Sequence, residues 1–224
     1  MELADRYARL SERSDIALLK DVSYGDVDAY NELIDRYLSL VSRTSFRILC
    51  DREDSEDTVV KVFVSLWYEV LDYDDSFTLS EWLLRKTCLY SRIRITRRRI
   101  LRIFGVVNDV FVNVSPKVED QDDYLTKQAW ELYCRTSNYM TPLQNAVYAL
   151  CELEGISKSI VAKITGMTEF RVGLALRRAE EYIRAELSSY DKEKDFDRYN
   201  GFLRKVADSI TDSEKLKGKI ISSL

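Results

Sequence analysis

Apolar positions in this chain recur three and four residues apart rather than at every second residue. Residues 15–20 (DIALLK) read as a short helix closed by the turn-prone SYGD at 23–26. Beyond it Ala29, Leu33, Ile34, Tyr37, Leu40, Val41, Thr44 and Ile48 keep to one helical face as far as Cys50. Residues 51–54 interrupt that face. Ser55, followed by Glu56 and Asp57, has the composition of a helix start with negative charge on its first turn. Val59, Val62, Phe63, Leu66, Trp67 and Val70 carry the next stripe, and acidic residues 72–76 read as a loop. A third long helix is expected from Thr78 or Ser80, with Ser80 and Glu81 resembling a cap. It runs through Trp82, Leu83, Leu89, Tyr90 and Ile93 to Gly105.

Residues 105–124 hold Pro116 and no sustained period, which predicts a linker; VFVNV within it has the composition of a strand but nothing to pair with. Helices are expected again over 124–139 and 142–154. The most specific stretch follows, GISKSIVAKITGMTEFRVGLALRRAEEYI, residues 155–183. Ser157 caps a short helix with Ile160, Val161 and Ile164 inward, and Gly166 supplies the corner. Thr168 caps a second helix packed through Val172, Leu174, Ala175 and Leu176. Two short helices across a glycine turn form the helix-turn-helix plan, with an ordinary helical hairpin as the alternative. Lys158, Thr168, Glu169, Phe170, Arg171 and Gly173 would face DNA, with Arg177 and Arg178 near its backbone. In the remaining segment, residues 188–224, Tyr199, Phe202, Leu203, Val206 and Ile210 share one side of a helix.

Composition narrows the class. Seven glycines and two prolines in 224 residues argue against an all-β fold, which needs many tight turns. The chain has no histidine and no glycine-rich phosphate loop, so the commonest general base and most zinc sites are missing. No enzyme activity, cofactor or metal is expected. Cys50, Cys88, Cys134 and Cys151 are widely spread and read as reduced core thiols. The first fifteen residues lack an apolar leader, and a cytoplasmic protein is expected.

Charge is distributed unevenly. The formal net charge is −4, yet residues 82–108 hold eight bases and no acid. They lie between 1–81, with 19 acids and 9 bases, and 109–131, with six acids and two bases. One reading is a polyanion partner for Arg85, Arg92, Arg94, Arg97, Arg98, Arg99 and Arg102. The other is internal pairing with the surrounding acids.

The order of these features resembles the extracytoplasmic-function (group 4, sigma-70 family) sigma factors of bacterial RNA polymerase, over about residues 15–187. DIALLKDVSYGDVDAYNELIDRYLSLV is similar to their opening helix, DREDSEDTVVKVFVSLW to their polymerase-binding helix, and WLLRKTCLYSRIRITRRR to the helix that reads and opens the −10 element. Residues 140–187, with Arg177-Arg178-Ala179, are similar to the −35-reading helix-turn-helix domain. The resemblance implies an all-α fold of two small helical domains, 1–104 and 125–187, joined by an acidic linker (105–124) and followed by a helical C-terminal extension (188–224). It implies core polymerase and promoter DNA as partners. Asp54, Glu56, Asp57, Lys61, Val64 and Trp67 would meet polymerase. The basic block would hold phosphates near −10, and Trp82, Tyr68 and Tyr90 would either stack on unpaired bases or belong to the core. Leu89 and Ile93 occupy positions where the family usually carries DNA-contacting Asn and Asp. Val60 replaces the usual Gln of the docking helix. The alternatives are a sigma-like adapter brought to DNA by another protein through residues 188–224, and an ordinary helix-turn-helix repressor with 1–104 as its regulatory domain. An anti-sigma or DNA-targeting protein would be a further partner.

Overall fold

The computed structural model describes residues 10–105, 121–190, 195–208 and 213–224. The described residues hold helices and no strand. They are α1 (Asp15–Ser23), α2 (Val27–Leu49), α3 (Arg52–Tyr68), α4 (Leu79–Ile103), α5 (Gln121–Ser137), α6 (Pro142–Tyr148), α7 (Lys158–Thr165), α8 (Glu169–Tyr190), α9 (Phe196–Asp208) and α10 (Ser213–Ile221). The all-α class expected from the sequence is the class observed. No helix among the described residues is long and apolar enough to cross a membrane. Most of the linker, including Asp109, Glu119 and Asp120 and the VFVNV segment, lies outside the described residues, as does Ile210.

Local chemistry sets the helix ends. Asp26 accepts hydrogen bonds from the amides of Asp28 and Ala29 at the start of α2, and Cys50 closes it in the left-handed region at φ 53°. Helix α3 begins at Arg52, earlier than the expected Ser55. Asp51 caps it, accepting from the Asp54 amide at 2.8 Å, while the Ser55 hydroxyl bonds back to the Asp51 carbonyl and is buried. Helix α4 is capped by Thr78 rather than Ser80. Glu81 bonds back to the Thr78 amide, which completes a capping box.

Two hydrophobic clusters result. The first gathers Leu33, Ile34, Val59, Phe63, Leu66 and Leu83 from α2, α3 and α4. Tyr30 donates to the Phe63 carbonyl at 2.9 Å and meets Trp67 edge-on at 5.0 Å. The second joins α5 to α9 with the C-terminal turn of α2 and part of α4, where Phe46 stacks on Trp130 at 4.6 Å. The four cysteines are free. Cys88 is buried, and that burial pushes its thiol up to about 12.

The helical segments assigned to separate units are packed together. Helix α4 lies against α6 and α7, and α2 lies against the end of α6. There the helix widens into a π turn, Ala149–Leu153, and the Glu154 amide reaches back to the Ala149 carbonyl at 2.9 Å. The turn delivers Glu154 to α2. Arg47 Nη1 meets Glu154 Oε1 at 2.5 Å, Arg43 Nε meets Oε2 at 2.9 Å, and Thr44 donates to Oε1 at 3.1 Å. The Arg47 and Glu154 side chains are only 3% and 4% exposed.

Candidate nucleic-acid interface

The helix-turn-helix forms as expected. Ser157 caps α7, Gly166 takes φ 69° at the corner, and Thr168 accepts from the Arg171 amide at the start of α8. Val161, Ile164, Val172 and Leu176 are buried. Ile160 and Leu174, expected inward, are instead each 38% exposed. They sit at the edge of the hydrophobic stripe, where one step of 100° turns a side chain out to solvent. Lys158, Thr168, Glu169, Phe170, Arg171, Arg177 and Arg178 are all exposed, Phe170 at 81%. The first half of the second helix therefore presents an aromatic and three arginines to solvent.

The basic block is divided by helix geometry. Arg94 faces α3, pairing with Asp54 at 2.5 Å and with Asp57 at 2.7 Å. One turn later Arg98 reaches Asp54 and Asp51. Arg99 donates to the Asn138 and Met140 carbonyls, and Arg102 to Asn138 Oδ1 at 3.4 Å. Lys86 pairs with Glu69. Arg85 sits over the Phe77 ring at 5.1 Å and donates to the Lys163 carbonyl of α7. Arg92 and Arg97 make no hydrogen bond or ion pair with the described residues. They border an open groove with Leu89, Ile93, Thr96, Ile100 and Leu101. Internal pairing thus accounts for Arg94 and Arg98, which lie on the α3 side of the helix.

Trp82 is 6% exposed and packs beside Tyr73, so it belongs to the core rather than to a base-stacking surface. Tyr90 is half-buried against the same core. Tyr68 is 63% exposed, and its hydroxyl donates to the Leu224 carbonyl at 2.8 Å.

On α3, Val59, Phe63 and Leu66 are buried, as the stripe implies. Asp57 and Lys61 are exposed, while Asp54, Glu56, Val64 and Trp67 are partly covered. Glu56 is flanked by Arg52 at 3.1 Å and by Lys219 of α10. Partial burial would raise its carboxyl, but the hydrogen bonds from Lys219 and Arg52 outweigh that and hold it below the usual carboxylate range. Periodicity in the sequence did not single out Lys219, Lys217 or Glu154. Each acts across more than a hundred residues, and only the fold brings its partner near.

No family model matches the chain. A curated protein, the ECF RNA polymerase sigma factor SigE of Mycolicibacterium smegmatis, is 21% identical over 165 residues. The match covers 74% of this chain, which spans 64% of that relative's length. Among solved structures, the sigma factor RpoE in complex with the anti-sigma factor NepR from Bartonella quintana superposes with a TM-score of 0.51. That match has 18% identity over 72% of this chain and 98% of that one. The structure of CnrH in complex with the cytosolic domain of CnrY gives 0.49 and 18% over 79% and 99%. The chain is similar to extracytoplasmic-function sigma factors in sequence, and it shares an all-α sigma-factor fold.

Proposed function

We propose that this chain, a divergent relative of the extracytoplasmic-function sigma factors, binds core RNA polymerase and directs initiation at particular promoters. The observation that carries this reading is the helix-turn-helix, whose DNA-facing side chains are all open to solvent. Helix α8 would enter the major groove near −35, with Arg171, Arg177 and Arg178 on phosphates. Residues 1–104 would supply polymerase docking through α3 and −10 contact through the outer side of α4. The two units, 1–104 and 125–187, would be joined through the linker 105–124. An anti-sigma protein is the natural class of regulator, since the RpoE relative is bound to one.

A second reading has a specific observation behind it. Leu89 and Ile93 are 46% and 55% exposed on the outer side of α4, where hydrogen-bonding readers of bases would stand. An adapter that docks on polymerase and is carried to DNA by another protein would need no base readout there. Transcription from a promoter library with purified core enzyme separates the two. Enrichment of a shared −35 and −10 pair supports the sigma reading. Polymerase binding without enrichment supports the adapter, and no polymerase binding refutes both.

A further inference from the structure

We infer that the C-terminal segment is a built-in clasp: α9 holds the helix-turn-helix half against the docking half, and α10 covers one edge of α3, so polymerase binding requires the tail to let go. This rests on the proposed docking role of α3.

The contacts of α10 run along α3 rather than meeting it at a point. Leu216 and Ile220, 4% and 0% exposed, enter the core cluster built by α2, α3 and α4. Lys217 grips Asp35 of α2 through both carboxylate oxygens at 2.5 and 2.6 Å. Lys219 reaches Glu56, and Tyr68 reaches the Leu224 carbonyl. Glu56 and Tyr68 are twelve residues apart, roughly 18 Å along a helix at 1.5 Å per residue. The other edge of the same surface, Asp54 and Asp57, is taken by Arg94 and Arg98. Both flanks of the docking helix are therefore already occupied by this chain.

Helix α9 closes the other side of the molecule. Tyr199, Leu203 and Val206 are buried in the second cluster. Tyr148 donates to Asn200 Oδ1 at 2.5 Å, and Arg204 Nε donates to the Glu152 carbonyl at 3.1 Å. Arg47 of α2 donates to the Arg204 carbonyl at 2.9 Å, so one helix binds both halves. Distance shows why this matters. Elements centred at −35 and −10 lie about 25 base pairs apart, roughly 85 Å at 3.4 Å per pair. A compact chain of this length has a radius of gyration of about 17 Å, hence a diameter of roughly 45 Å. The closed arrangement cannot reach both elements at once.

Three full-length variants test the clasp by titration against core RNA polymerase, with hydrogen exchange on residues 213–221 confirming release. Leu216→Asp with Ile220→Asp removes the apolar seat of α10. Lys217→Asp sets like charges against each other at Asp35, and Asp35→Lys combined with Lys217→Asp restores the pair. None of these residues is assigned to polymerase contact. Release is expected to tighten polymerase binding at least tenfold in the first variant. Lys217→Asp should give a smaller gain, and the charge swap should return binding to the parental value. Released tails with unchanged or weaker polymerase binding would overturn the clasp and make the tail a brace. If neither parent nor released variants bind polymerase, the proposed function fails and the clasp fails with it.

Discussion

Replacing Glu154 with Gln removes the charge that compensates Arg47 in the interior. The two side chains are 3% and 4% exposed, and three groups of α2 converge on the Glu154 carboxylate. Arg47 also donates to the Leu153 carbonyl at 3.2 Å and to that of Arg204, while its own carbonyl accepts from Tyr133 at 2.8 Å. Its Nε is buried with no partner among the described residues, so the guanidinium has no spare bond there to fall back on. Breaking one side of a buried pair typically costs about 3–5 kcal/mol, because the remaining charge stays uncompensated. Against a total stability of about 5–15 kcal/mol, that loss is large. For a chain of this size about 1 kcal/mol moves the melting midpoint by roughly 2–4 °C, so Glu154→Gln is expected to lower it by about 6–20 °C. The double change Arg47→Met with Glu154→Leu removes both charges and should cost much less than the single change. Thermal and urea unfolding of the parent, the single variant and the double variant make the comparison. A drop below about 1 kcal/mol for Glu154→Gln would mean the pair is hydrated and does not latch the halves together.

Gly166→Ala is expected to destabilise the chain by about 1–2 kcal/mol, since its φ of 69° is left-handed and open space around it cannot relieve the strain; Gly166→Asn should cost less in the same urea titration. Glu152→Gln is expected to stabilise the chain at neutral pH. Burial, then the charges of Glu180 and Asp197, push the Glu152 carboxyl above the usual range against the pull of Arg204 and Lys158. An acid with a raised folded pKa binds its proton more tightly when folded, so its penalty is full above that pKa and fades as pH falls through it. The advantage of Glu152→Gln should shrink toward about pH 4.3, the ordinary value for such an acid, and an advantage independent of pH would refute the electrostatic cause.

The long helices were legible because their stripes are long. Leu33, Ile34, Phe63, Leu66 and Leu83 are buried where the 3.6-residue period puts them. Ends were less legible. Ser55 and Ser80 look like caps, yet Asp51 and Thr78 do that work, and Thr78 with Glu81 three residues later was the stronger signal. Residues 188–224 were expected to be helical, but the stripe that marked them ended at Ile210, and nothing singled out α10. It is short, contains Gly218, and would be marginal in water without the α3 surface that receives Leu216 and Ile220. Glu154 gave no signal because its value comes from Arg47, which is 107 positions away.

The basic block shows how one-dimensional charge counting misleads, and what would follow if polymerase binds α3. Its outer side is half apolar, with Leu89, Ile93 and Ile100 lining the same groove as Arg92 and Arg97. Arg94 and Arg98 are held by Asp54 and Asp57, residues that would themselves meet polymerase. Engaging those acids frees the arginines, so docking would turn internal ion pairs into phosphate contacts. Each phosphate contact contributes roughly 0.7–0.9 to the log–log salt slope of binding. In complex with core polymerase, Arg94→Gln with Arg98→Gln is expected to reduce the slope of promoter binding by roughly 1.4–1.8. Arg92→Ala with Arg97→Ala should reduce it by the same amount whether or not Asp54 and Asp57 are engaged. A slope that falls only for Arg92 and Arg97 would mean that Arg94 and Arg98 stay paired with α3 throughout.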